Sequence, residues 1–322
     1  MTAQDRATDA PQAGGLPSAF FVPDGDTFVP LPIARGPWGQ TISGNYLGGI
    51  LGHVLERDAG DADFQPARFT VDLFRPAALA PVRVDTTVTR QGRRLKLVDA
   101  VMKQSDTIVA RASGLFLRRG EQPSDEIWTS PIDMPPLPPT PDPIPKGLAM
   151  LVWTYGKDEQ TPGPGFGLSA WQHAGPKYIW VRDIRPLIAG EPLTAFTRAA
   201  MAGDMASSLT HYGTGGLHFI NADYTLTLSR LPEGPYLGLA ALTHYSHAGV
   251  ATGVATIVDQ FGPIGSAVAG PPPESRGRCS SGSCRSRVEL NQLRQLAGAL
   301  LRHQRYCAVL PPTGIAGIPS LR

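Results

Sequence analysis

The sequence predicts an α+β fold in which one layered unit occurs twice, each copy an antiparallel sheet wrapped around a central helix. Three observations carry this reading. Runs of alternating apolar and polar residues occur in two blocks, a helix-periodic stretch precedes each block, and a proline-rich break separates them.

The chain of 322 residues is too long for one small domain, and its 42% apolar share is enough for two cores. Residues 1–18 are polar, small and Pro/Gly-containing, and read as a disordered lead-in. Within 19–120, the first domain, SGNYLGGILGHVLERD sets Leu47, Ile50, Leu51, Val54 and Leu55 on one helical face. Ser43 or Asn45 is placed to cap this helix, and its glycines would let a sheet approach closely. Phe69–Val88 then reads as a half-buried strand pair, RQGRR as a turn, and LKLVDAVMKQ and TIVARASGLFLR as two more strands.

Nine prolines fall between Glu121 and Lys146. Proline removes backbone donors and favours extended geometry, so 121–146 reads as a semi-rigid linker and not as core. The second domain, 147–270, repeats the design. Thr197–Thr210 is its helix, rich in small residues as if pressed tightly against a sheet. YTLTLSRLPEGPYLGLAAL is strand, turn and strand; YSHAG is a hairpin, and VATGVATIVDQ and PIGSAVAG are the last strands. A shift of 155 residues lays Arg75 on Arg230, Pro81 on Tyr236 and Val109 on Ile264, the mark of an internal duplication.

Residues 271–322 differ from the rest. They hold eight Arg, no Lys and two Glu, a net +6 within a chain of net +2, and all three cysteines, Cys279, Cys284 and Cys307. With His303 these form C-x4-C-x18-H-x3-C, a spacing that fits no zinc framework. The segment reads as a basic extension or as a frameshifted end, which reading the downstream DNA in its other frames tests. The whole-chain charge suggests no nucleic-acid partner. No run reaches the roughly 18 apolar residues of a membrane span. The first 270 residues lack cysteine and the N-terminus has no signal-peptide pattern, as expected of a cytoplasmic protein.

One acid stands out. RAAMAGDMASS sets Asp204 among small and apolar residues. A carboxylate there is poorly solvated, which raises its pKa toward the range of a general base. The bland alternative is that Asp204 bonds a backbone donor or pairs with Arg198. Asn221, just before a strand, can orient a water through its amide or satisfy a turn. Thr225 lies within an alternating strand, where threonine is a common strand former. Backbone N–H groups of Ser43-Gly44-Asn45 or of GTGG (Gly213–Gly216) are candidate oxyanion donors. There is no G-x-S-x-G elbow, P-loop, H-E-x-x-H or convincing dinucleotide fingerprint, and GPGFG (Gly163–Gly167) reads as a loop.

The order of these pieces resembles a known family. A helix with paired glycines, then VDLFRP, GRRLKLVDA and IVARA, is similar to the N-terminal hotdog domain of type II acyl-CoA thioesterases. WVRDIRPLIAGEPLTAFTRAAMAGDMASS followed by FINADYTLTLSRLP looks like their C-terminal hotdog domain. The resemblance implies a tandem (double) hotdog, acyl-CoA as substrate and hydrolysis without a covalent intermediate, metal or organic cofactor. It implies an Asp on the central helix, matched by Asp204. A hydroxyl on the next strand falls on Asn221 or, by a small slip, on Thr225. A Gln on the last strand falls near Ala269 or Gly270, where none stands. CoA phosphates lead one to expect Arg at the mouth, for which Arg75, Arg93, Arg94 and Arg230 are available. His211, His218, His244 and His247 lie where a hotdog dehydratase would act, but the Asp and His five apart at a helix start are missing, so all four read as structural. A catalytically degenerate acyl-CoA-binding protein is the main rival reading. Double-hotdog chains often pair further, so a homo-oligomer through edge strands or exposed helices is a further expectation.

Overall fold

A computed structural model of the chain describes residues 18–37, 39–145, 148–156 and 168–270. They belong to one compact unit, Met1–Arg276; the chain's other unit, Gly277–Arg322, lies outside the described residues. Outside them too are nearly all of the lead-in, the GPGFG stretch and the Cys-containing segment.

In chain order the elements are β1 (Phe21–Asp24), β2 (Thr27–Pro30), α1 (Gly44–Ala59), β3 (Phe64–Leu73), β4 (Val82–Gln91), β5 (Leu95–Gln104) and β6 (Thr107–Arg118). There follow β7 (Met150–Tyr155), β8 (Tyr178–Asp183), α2 (Ala195–Gly203), α3 (Met205–His211), β9 (Tyr212–Gly213), β10 (Gly216–Leu217) and β11 (Asp223–Leu228). β12 (Leu237–His247), β13 (Val250–Asp259) and β14 (Gly262–Ala269) complete the fold. Twelve strands form one sheet in the order β1-β2-β4-β5-β6-β3-β11-β14-β13-β12-β8-β7, and every named pair in it is antiparallel.

The order reads alike from both ends towards β3 and β11. There Thr70 stands opposite Thr225, residues 155 apart whose hydroxyls meet at 3.1 Å. The duplication offset seen in the sequence thus maps each threonine onto the other, and a pseudo-two-fold axis passes between them. The α+β tandem-hotdog expectation holds in this architecture. One pairing differs: β3 and β4 are not neighbours, because β5 and β6 lie between them. Pro76 and Pro81, flanking the connection, supply no ladder donors, and β3 is released to pair with β11.

The helices pack against one face of the sheet. All five predicted stripe residues of α1 are buried, and Ile50, Leu51 and Leu55 are fully so, each worth roughly 1.5–3 kcal/mol of burial. The glycines of α1 serve another purpose than expected. A Cβ at Gly49 would meet Met201, and one at Gly52 would meet Ala200, so these two admit α2; only Gly48 admits a sheet residue, Tyr224. The Thr197–Thr210 helix forms as two pieces, α2 and α3, with Asp204 at the joint. Thr194 caps α2 by accepting from the Thr197 amide at 3.0 Å, and donates its own hydroxyl to Glu56 near the end of α1. The YSHAG hairpin turns through Ala248 and Gly249, both at positive φ (49° and 84°), the pairing a type I′ turn needs.

The proline-rich segment has no regular structure through its described part, yet it is held to the second half. Trp180 donates to the Pro135 carbonyl at 2.9 Å, Thr140 and Tyr236 share a hydroxyl bond, and Met134 packs against a small core of Leu151, Trp153, Trp180, Tyr236 and Val258. Prolines lack donors but keep their carbonyls, and those accept. Among the described residues no helix is long and apolar enough to cross a membrane.

Candidate active site

The site starts from a break in a helix. At Asp204 the backbone N–H turns to the Ala202 carbonyl, and α3 restarts with Ser207 N–H donating to the Asp204 carbonyl at 3.2 Å. The joint points the carboxyl of Asp204 at the start of α1. Its oxygens lie 2.7 and 2.8 Å from where a Cβ of Gly44 would stand, so only glycine fits there. The backbone N–H of Asn45 and the side-chain amide of Asn221 both donate to this carboxyl. Asp204 therefore does for α1 what Ser43 was expected to do: Ser43 occupies the N-cap position, but its side chain makes no cap bond.

Electrostatics at this point are opposed. Burial pushes the Asp204 carboxyl up to about 6, against the two amide donors that favour its ionised form. The positive end of the α1 dipole acts in the same sense as those donors. The residue as a whole remains partly exposed. Arg198 does not pair with it; that guanidinium bonds the Gly234 carbonyl. A second carboxyl, Asp183 at the end of β8, is likewise pushed up to about 6 by burial, with Arg198 opposing.

Two amide oxygens in the residues that hold Asp204 have no partner of their own. Asn221 Oδ1 and Asn45 Oδ1 are buried acceptors without a hydrogen bond, and Asn45 is only 7% exposed. Buried acceptors of this kind are costly unless a donor arrives. A water, with two protons to give, can satisfy one such acceptor while offering its other proton to the carboxyl.

Of the sequence candidates, Asp204, Asn221 and the Ser43-Gly44-Asn45 start of α1 come together. Thr225 does not join them. Its neighbours Tyr224 and Leu226 face the core, so strand alternation turns Thr225 to the opposite face, where it bonds Thr70. Ala269 stands directly opposite Tyr224 in the β11–β14 ladder, so a tyrosine shares this face where the resemblance would put a glutamine. The GTGG stretch forms the small β9–β10 hairpin. Arg230 is spent on Asp259, which it grips with two bonds, while Arg75, Arg93 and Arg94 are exposed. His211 is buried, bonds the Ser207 carbonyl at 2.7 Å and meets the His244 ring at 4.9 Å. Among the described residues no group of three or more His, Cys, Asp or Glu is placed to hold a metal ion. Sequence reading offered Asn45 only as a cap for α1 and missed Tyr224, whose one signal was the small residue it packs against, Gly48.

Residues 34–117 match the acyl-CoA thioesterase N-terminal domain, and 131–268 match the acyl-CoA thioesterase C-terminal domain, more than half of the chain together. The chain belongs to the acyl-CoA thioesterase family. Solved structures agree on the fold. The tesB protein of Mycobacterium avium subspecies paratuberculosis is 15% identical with a TM-score of 0.56, covering 77% of this chain and 92% of that one. A hot-dog-fold protein of unknown function from Alicyclobacillus acidocaldarius is 18% identical, with a TM-score of 0.58 and coverage of 79% and 96%. The acyl-CoA thioesterase II TesB2 of Mycobacterium marinum is 16% identical, with a TM-score of 0.54 and coverage of 80% and 95%. No curated protein matches the chain. This thioesterase-family chain thus carries both hotdog domains.

Proposed function

We propose that this chain hydrolyses acyl-CoA thioesters with Asp204 as the general base. The observation that carries the reading is the carboxyl at the α1 start, raised to about 6 and accompanied by two buried, unpartnered amide oxygens. Water donates one proton toward the ionised Asp204 and the other toward Asn221 Oδ1. As Asp204 takes its proton, the water oxygen attacks the thioester carbonyl carbon, whose oxygen becomes an oxyanion facing the positive end of α1. The intermediate collapses, the carbon–sulfur bond breaks, and the proton on Asp204 passes to the departing thiolate. The products are the free acid and CoA, and Asp204 is ionised again. Asn221 stands where the resemblance expects a hydroxyl, and its amide can both hold the base and accept from the water. The domains that carry this chemistry are taken as 19–120 and 147–270, joined by 121–146, acting in the cytoplasm.

Free-thiol release from short, medium and long acyl-CoAs tests this, with Asp204→Asn beside the wild type. Loss of about three orders of magnitude in kcat supports the base; turnover indifferent to the substitution overturns it. A second reading has one observation in its favour, Ala269 where the resemblance expects Gln. In it the chain binds acyl-CoA and does not turn it over, and tight binding without thiol release would select it.

A further inference from the structure

Asp204 is partly exposed, whereas the space between the helices and the sheet beside it is occupied by Tyr224, which is 0% exposed. Both helices are cut away to admit this ring. A Cβ at Gly48 of α1 would lie 1.8 Å from the Tyr224 hydroxyl, and one at Gly203, next to Asp204, would lie 2.7 Å from the ring edge. Gly48 is one turn, about 5 Å, beyond Gly44, against which the Asp204 carboxyl packs. Behind Tyr224 the layer is filled by an aromatic row: Phe69 at 6.0 Å from its ring, Phe196 at 5.6 Å from Phe69, and Phe116 at 6.2 Å from Phe196.

The hydroxyl adds a second tie. Tyr224 donates to the Ala200 carbonyl at 2.8 Å. In an unbroken helix that carbonyl would accept from the amide of Asp204, four residues on; the break has sent that amide to Ala202, and Tyr224 takes the vacated place. The residue that fills this space also holds the joint that carries Asp204.

We propose that Tyr224 is the specificity-determining residue of this site, closing its acyl end so that the chain accepts short acyl thioesters, acetyl to butyryl, and rejects fatty ones. This rests on the hydrolase reading above. The bulky CoA part of the substrate has to stay in solvent, so the acyl group must enter past the partly exposed Asp204, and inward of it lies Tyr224, about one helical turn along α1. A longer chain has to displace a fully buried ring, its hydrogen bond and the aromatic row behind it.

The test is kcat/KM for acetyl-, butyryl-, octanoyl- and palmitoyl-CoA on the wild type, Tyr224→Phe, Tyr224→Leu and Tyr224→Ala, with circular dichroism to certify the fold. The wild type should favour butyryl- over octanoyl-CoA by at least about tenfold, the scale on which apolar pockets discriminate methylenes. Tyr224→Phe keeps the ring and should keep that order while losing turnover at every length. Tyr224→Ala, or Tyr224→Leu if the alanine variant does not fold, should move the preference to octanoyl-CoA by at least about tenfold. A merely structural tyrosine would lower all lengths alike, and that outcome overturns the proposal, as does a wild type that cleaves palmitoyl-CoA as well as butyryl-CoA. If no acyl-CoA is turned over, the hydrolase reading falls, and calorimetric binding of the same series decides. Octanoyl-CoA affinity gained in Tyr224→Leu or Tyr224→Ala upholds the plug, and no gain overturns it.

Discussion

Replacing Asp204 by Asn should raise stability while abolishing turnover, and both effects follow from one geometry. The folded carboxyl titrates at about 6 against a reference of 3.8 because burial disfavours its charge. A raised carboxyl pKa means that the folded chain holds its proton more tightly than the unfolded one. The contribution to stability is therefore complete below pH 3.8, is lost as pH rises from 3.8 through about 6, and stays lost above. At about 1.4 kcal/mol per pH unit this deficit is about 3 kcal/mol at pH 8. Asparagine carries no charge, so it escapes the deficit. It gives up one acceptor, but Asn221 can rotate its amide and accept through the oxygen that now lacks a partner. Allowing about 1 kcal/mol for the weaker hydrogen bonding, Asp204→Asn should be about 2 kcal/mol more stable than the wild type at pH 8. At pH 4 the gain should vanish. Urea unfolding at the two pH values measures this, with an unchanged m-value as the control for a common denatured state. A variant equally stable or less stable at pH 8 refutes the account of Asp204 as a carboxylate held against its solvation.

The remaining predictions concern the groups around that centre. Wild-type kcat/KM should fall as pH drops below about 6, because the base is active only when ionised, and the fall follows the titration of Asp204. Gly48→Ala should cost about 3 kcal/mol in urea melts, since its Cβ would lie 1.8 Å from the Tyr224 hydroxyl; Tyr224→Phe in the same chain should recover part of it, the next ring atom being 3.0 Å away. Arg230→Met should cost about 3–5 kcal/mol by thermal or urea melts, because it leaves Asp259, whose side chain is wholly buried, without its cation. His211 is pushed down to about 4, chiefly by burial, with its bond to the Ser207 carbonyl opposing and His244 adding a smaller push in the same direction as burial. A lowered histidine pKa means that the unfolded chain is protonated first, so its stabilising share is lost as pH falls from 6.5 to 4. His211→Gln should lose that acid-side slope in a series of urea midpoints.

The repeated layer was legible because strands announce themselves in single residues. A one-residue slip moves every side chain to the wrong face, so the 155-residue offset survives in both halves, and β5, Leu95–Gln104, maps onto β13, Val250–Asp259, end for end. Asp204 was legible for a related reason: an acid among Ala, Met and Gly has no solvent to explain it. What stayed hidden was long-range. Nothing local to Thr225 tells which of two faces it takes, since alternation gives the period and not the phase, and the phase is set by Tyr224 entering between two helices. Ser43 fitted the rule for a helix cap, yet the α1 start is served by a carboxyl from the other half of the chain. Gly48 and Gly203 looked like sheet or helix contacts of a general kind; each is a vacancy shaped by one tyrosine.

The two halves are alike in their sheet strands and unequal in their helices, and the proposed site rests on that inequality. α1 runs unbroken for 16 residues and its partner stops after nine, to restart as α3 beyond Asp204. An unbroken partner helix would keep the Asp204 amide on the Ala200 carbonyl and direct the side chain by helical periodicity alone. The break removes that bond and hands the carbonyl to Tyr224. It also presents the carboxyl to the amide end of the intact helix opposite. The duplicated half therefore supplies the positive helix end, and the altered half supplies the acid. Ladder pairing tolerates little change, and the sheet is symmetric; helix packing through glycines leaves room for the two helices to differ. On this view the catalytic asymmetry and the closed acyl end have one cause. The tyrosine that bonds the broken helix is the same side chain that fills the space beside Asp204, so if the proposal holds, a variant that opens that space also loosens Asp204, and longer substrates should be gained only with a fall in kcat on the short ones.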